Sequence, residues 1–146
     1  MNGIKMKDCR FYVNKDMRTV VCVIPCTSGM VQEFIYDHFQ FRDIDLYDAI
    51  TWHGADWIRM PNSFVGKAVC SQEDEWDEEV GKLIAFSRAK DKCYKSFFKR
   101  ANQFVQRLDG HLGDMIDTFN NFGLKLENKR EDLKVKIENK IGTEIK

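Results

Sequence analysis

Apolar and polar positions divide the chain into an extended first third and a helical remainder. From Val20 to Ile24 every position is apolar, most are β-branched, and Pro25 closes the run. Paired with Cys9 to Val13 across the turn-forming Asn14, Lys15 and Asp16, this stretch predicts a β-hairpin. An unbroken apolar run is expected to be covered on both faces, which places the second arm at the centre of a sheet. Phe64-Val65-Gly66-Lys67-Ala68-Val69-Cys70 predicts another strand, after a turn or kink at Pro61.

Between these strands, Met30, Val31, Phe34, Ile35, His38 and Phe39 recur at three- and four-residue steps behind a capping Ser28, which predicts a helix. Residues 40–57 carry apolar side chains broken by Gly54 and many acids. They read as an extended connection with one helical turn or short strand, and Trp52 and Trp57 suit the lip of a pocket.

Ser71 and Asp74 have capping-box spacing and predict a long helix from about Gln72. Its main apolar stripe runs through Trp76, Val80, Leu83, Ser87, Tyr94, Phe98, Ala101, Val105 and Leu108. A second stripe holds Phe86, Cys93, Phe97 and Phe104. Gly110 is expected to break this helix, and a second helix with Leu112, Met115, Ile116, Phe119 and Phe122 in phase runs to Gly123. The remaining tail alternates Lys and Glu around Leu126, Leu133, Ile137 and Ile141 and reads as an amphipathic helix. So thin a stripe needs the long helix or another subunit to pack on.

The pattern therefore predicts an α+β fold, a small antiparallel β-sheet packed against a long α-helix with further C-terminal helices. Residues 1–123 form one ligand-binding domain and residues 124–146 a helical tail, since 146 residues are too few to divide into two full domains. The apolar helix face is broader than a small sheet can cover, so a dimer or higher oligomer is expected.

Charge adds a further feature. The 23 basic and 23 acidic residues cancel, yet they are segregated. Acids crowd Glu73 to Glu79, and Lys82, Arg88, Lys90, Lys92, Lys95, Lys99, Arg100 and Arg107 follow, with Asp91 between them. The order suits a helix dipole. Cations interleaved with aromatics also suit an anionic, flat-faced ligand such as a nucleotide. Arg59, Phe86, Arg88, Arg100 and Arg107 are the candidate ligand-binding residues: guanidiniums for phosphate and a ring for a base.

Enzyme signatures are missing from the chain. No Gly-x-Gly-x-x-Gly, Gly-x-Ser-x-Gly or His-Glu-x-x-His occurs, and Gly66-Lys67 lacks the upstream glycine of a phosphate loop. His53 beside Trp52 and Asp56 is the one cluster that invites a general base, and a packed histidine explains it as well. The five cysteines have no disulfide-framework or zinc spacing and read as free thiols; no metal and no cofactor are expected. No apolar run approaches the ~20 residues of a membrane span, and the N-terminus lacks a secretory signal's apolar centre. A cytoplasmic, non-catalytic binding protein is the expectation.

Three stretches carry a family resemblance: Phe11-Tyr12-Val13 through Thr19-Val20-Val21, Phe64 to Cys70, and the helix entry Glu75-Trp76-Asp77-Glu78-Glu79-Val80-Gly81-Lys82-Leu83-Ile84-Ala85-Phe86-Ser87-Arg88-Ala89-Lys90. Across roughly residues 9–108 the chain resembles the first-described family of phage anti-Thoeris proteins. The resemblance implies an oligomeric sponge that captures cyclic ADP-ribose isomers made by bacterial TIR proteins, keeps them uncleaved, and so silences Thoeris defence in the host cytoplasm. It also implies that some members hold cyclic oligonucleotides at separate sites. It assigns no ligand contact to any residue here. Two other functions fit the same pattern: a nucleic-acid-binding module using the basic helix, and a protein inhibitor of a bacterial defence enzyme whose residues 73–79 imitate nucleic acid.

Overall fold

The computed structural model describes residues 3–39 and 57–144. The Trp52, His53 and Asp56 cluster and most of the 40–57 connection lie outside them. Within the described residues the chain has two compact units, Met1–Val105 and Gln106–Lys146.

The first unit is α+β. A 3₁₀ turn at Met6–Asp8 precedes β1 (Arg10–Asn14), β2 (Thr19–Pro25), α1 (Met30–Phe39) and β3 (Ser63–Val69). α2 begins at Glu78 and runs to Glu144. The three strands form one antiparallel sheet in the order β1-β2-β3, so the apolar strand is central, as its sequence predicts. Phe11 pairs with Cys22 and Cys22 with Gly66.

The hairpin turn has identifiable causes. The Asn14 side chain accepts a bond from the Met17 backbone at 3.0 Å, and Arg18 takes a left-handed conformation (φ 48°). The Arg18 guanidinium then donates to the Cys70 thiol and to the Asp74 carbonyl, tying the turn to the segment before α2.

Alternation within the strands sets the core. Val20, Cys22 and Ile24 of β2 are buried with Ala68 of β3, whereas Val21 and Val23 are only half-buried and Tyr12, Val65 and Val69 are exposed. β2 is therefore buried on one face and half-exposed on the other, short of the cover expected on both. α1 contributes Val31 and Ile35; Phe34 meets Phe97 of α2 edge-on at 5.5 Å, and the Cys93 thiol lies 3.7 Å from the Met30 sulfur. Ile58 and Met60 complete the core. Their segment is pinned to the start of α1 by bonds from Thr27 N to Asn62 O (3.1 Å), Met60 N to Ser28 O (3.1 Å) and Thr27 Oγ1 to Pro61 O (2.5 Å).

α2 departs from the sequence expectation in three ways. It starts at Glu78, because the Asp77 carboxylate accepts from the backbone of Glu79 (3.0 Å) and Val80 (3.1 Å) and so acts as the cap. Ser71 and Asp74 bond each other at 2.9 Å without starting a helix. Gly110 and Gly123 do not interrupt it, since a helix-interior glycine costs only ~1 kcal/mol. Its buried face in the first unit is also not the expected main stripe.

Ala85, Ala89, Cys93, Phe97 and Phe104 are buried, while Leu83 is 55% and Phe98 62% exposed. The stripe named second in the sequence is the inner one, with alanines in place of Phe86 at its start. Gly66 explains this choice. A Cβ there would collide with the carbonyl oxygen of Ala85 and the backbone of Ala89, so strand and helix backbones are in direct contact. Large residues cannot occupy that crossing.

The second unit is helical throughout its described residues, and nearly every side chain in it is exposed. Among the described residues no helix is long and apolar enough to cross a membrane.

Gly66→Ala should destabilise the protein by about 3 kcal/mol or more in urea denaturation, since the obstructing atoms are backbone. At Gly110 a Cβ meets nothing within 4 Å. Gly110→Ala should therefore stabilise by about 0.5–1 kcal/mol in the same measurement.

Candidate functional site

Four of the five candidate residues belong to the first unit, and they fall in three places. Arg59 and Arg100 are brought together. The Arg100 Nε donates to the Arg59 carbonyl at 2.6 Å, while its Nη1 donates to the Ser96 hydroxyl (2.5 Å) and carbonyl (3.3 Å). A guanidinium held by three bonds has lost much of its rotamer freedom before any ligand arrives. Arg59 itself is exposed.

Phe86 stands elsewhere on α2. Fourteen residues separate it from Arg100, which is roughly 21 Å along a helix. Its ring is engaged by Lys90, whose ammonium lies 5.3 Å from the Phe86 centroid and 5.6 Å from that of Tyr94. Phe86, Lys90 and Tyr94 form an i, i+4, i+8 row, so the partner of the phenyl face is the chain's own cation.

Arg88 turns toward the sheet. It donates to the Lys67 carbonyl at 2.7 Å, and Lys92 donates to the Val65 carbonyl at 2.9 Å. β3 is an edge strand. Two long cationic side chains thus occupy carbonyls that would otherwise invite another strand. Arg107 lies in the second unit and is exposed, with interactions of its own.

Much of the segregated charge is consumed in this way. Lys82 pairs with Glu78 (2.8 Å) and Glu79 (3.4 Å), and Lys95 with Asp91 (2.8 Å). The hydrogen bond to Lys82 lowers the Glu78 carboxyl below its ordinary value, and the same bond raises the Lys82 ammonium. Sequence reasoning missed Lys90, Tyr94, Ser96 and Lys92 as functional neighbours. The i+4 spacings from Phe86, Arg88 and Arg100 were the available signal.

One open groove of about 400 Å³ lies elsewhere in the first unit, lined among others by Lys5, Lys7, Asp8, Cys26, Thr27 and Glu33. Its two lysines are balanced by two acids, so it offers a phosphate little net attraction. None of the candidate arginines lines it.

Among the described residues no group of three or more His, Cys, Asp or Glu is placed to hold a metal ion. The five cysteines are free thiols. Burial pushes the Cys22 thiol up to about 12 and the Cys93 thiol up to about 11. Cys26 is exposed, at the end of β2 in a left-handed conformation (φ 59°).

The chain matches no protein-family model, no curated protein and no solved structure.

Thiol titration checks this arrangement. At pH 8 a disulfide reagent should label Cys26 fastest and leave Cys22 and Cys93 unmodified until denaturant is added. Both buried thiols hold their protons above the ordinary value of 9.0. Their contribution to stability is full below pH 9 and lost as pH rises through 11 to 12, because only the unfolded thiols ionise at the start of that window. Alkaline denaturation of wild type against Cys93→Ala should show a smaller loss for the variant.

Proposed function

We propose that the protein is a phage or prophage immune-evasion factor that binds a cyclic ADP-ribose-type signal and sequesters it uncleaved, blocking Thoeris defence. The observation that carries this reading is the Arg59 and Arg100 pair. One guanidinium is fixed in place by Ser96 and the Arg59 backbone, and a second, exposed guanidinium is on the same residue that supplies that backbone carbonyl. A diphosphate presents two anionic groups a few ångströms apart, which suits one guanidinium fixed in place and a second carried by the residue that anchors it. The resemblance of residues 9–108 to phage anti-Thoeris proteins supports the same ligand class. Capture without turnover asks only for affinity, and the site needs no nucleophile or base.

A separate, larger nucleotide, in line with the second class of site that the resemblance implies, would have to displace Lys90 from the Phe86 and Tyr94 rings. General binding to nucleic acid is less well supported. Lys82, Arg88, Lys92 and Lys95 are already paired with carboxylates or backbone carbonyls of the chain itself, which leaves a thin electrostatic footprint for a long phosphate backbone. Self-association, in this reading, completes the enclosure of the ligand.

Incubation with the products of a TIR enzyme, followed by washing, heat denaturation and mass spectrometry, tests the proposal. Intact cyclic nucleotide should be released by wild type. Each of Arg59→Ala and Arg100→Ala removes a charged hydrogen-bonding partner worth about 1.5–3 kcal/mol, so each should weaken capture by roughly 10- to 150-fold. Release of linear ADP-ribose would reveal cleavage, and release of nothing would end the proposal.

A further inference from the structure

The second unit presents an apolar seam that its own chain leaves uncovered. Leu108, Leu112, Met115, Phe119, Phe122 and Leu126 follow one another at alternating steps of four and three, and Leu133 lies a further seven on. That is a heptad repeat, the period of a helix that supercoils around another helix. Phe119 is 73% and Phe122 59% exposed, and Leu112, Met115, Leu126 and Leu133 are each about half exposed. Two aromatics that bury ~150–250 Å² each, with the half-exposed leucines and methionine beside them, offer on the order of 700 Å² per copy, close to the ~800 Å² per partner of a standard stable interface.

The charges beside the seam decide what covers it and in which direction. In a parallel pair Lys129 and Lys136, both at seam positions, would each face their own copy across the core, and Lys125 would oppose the partner's Arg130. Three like-charge contacts would oppose that arrangement. Antiparallel docking about a two-fold axis beside Asn120 and Asn121 gives a different set. Leu108 meets the partner's Leu133, Met115 meets the partner's Leu126, and Phe119 meets the partner's Phe122. The Lys129 stem lies on the partner's Leu112, with its ammonium reaching water.

At the flanks, Asp109 opposes the partner's Arg130, and His111 opposes the partner's Asp132. Gly123, where a Cβ meets nothing within 4 Å, gives room to the partner's Ile116. We infer that residues 108–133 form an antiparallel, two-stranded coiled coil with a second copy of this chain, centred on Phe119 and Phe122. The occupant is another copy because the seam is complementary to itself under a two-fold rotation in both shape and charge. The inference stands independently of nucleotide capture.

Sedimentation equilibrium of the full chain in the micromolar range should give twice the 17.2 kDa chain mass. A monomer, a trimer or a larger assembly would overturn the inference. Phe119→Asp should raise the dimer dissociation constant by at least about thirtyfold, the loss expected from a central interface residue. An unchanged dimer would contradict it.

Asp109→Arg and Arg130→Asp fix the direction. Each alone should weaken the dimer, and the two together should restore it, because the antiparallel pairing exchanges one charge for the other. In a parallel pair these positions are roughly 32 Å apart along the helix, and the double variant would show no restoration. Failure of the double variant to regain affinity, or of the single variants to lose it, would overturn the antiparallel docking.

Discussion

The contact on which the first unit depends lies between β3 and α2, where Gly66 lets the helix backbone at Ala85 and Ala89 rest directly on the strand. Only small residues fit that crossing, so it selects which face of the helix turns inward. Cys93, Phe97 and Phe104 follow on the same face and meet Met30 and Phe34 of α1. The consequence is an inversion: the narrower run of apolar positions is packed, and Leu83, Phe98 and Val105 are left in solvent. Arg88 and Lys92, on the flank of the same contact, reach the carbonyls of the edge strand and block further strand addition.

Strands and sheet order were legible because period-two burial and β-branched composition act locally. The continuous apolar run at Val20 to Ile24 gave the central strand directly. Cap and helix-face assignments were less legible. Ser71 and Asp74 have the right spacing for a capping box, but Arg18 draws Cys70 and Asp74 into a turn, and Asp77 starts the helix instead. Counting apolar residues favoured the stripe of large side chains. Packing favoured the alanines, because a glycine in a strand marks close backbone approach, and a count of hydrophobicity does not register that. Gly110 and Gly123 look like breaks in the sequence, whereas their cost is small beside the continuity of a long helix.

The candidate residues shared a chemistry in the sequence, and the fold distributes them among different tasks. Arg100 is held by Ser96 and by the Arg59 backbone carbonyl. Arg88 closes a sheet edge, and Phe86 is occupied by Lys90. A row of cations on a helix is a sum of separate local demands, and only the part that those demands leave accessible is available to a ligand. The long apolar seam of the second unit follows the same logic: it is unsatisfied within one chain, and its pattern of charge and size matches a rotated copy of itself.

The central claim is that the small-residue face of α2 is inside and the broader apolar face outside. Radical footprinting of side chains, read by mass spectrometry, measures this residue by residue. Phe97 and Phe104 should resist modification while Leu83 and Phe98 react readily. Protection of Leu83 and Phe98 together with labelling of Phe97 and Phe104 would mean that the helix packs by its other face, and the Gly66 contact would then not exist.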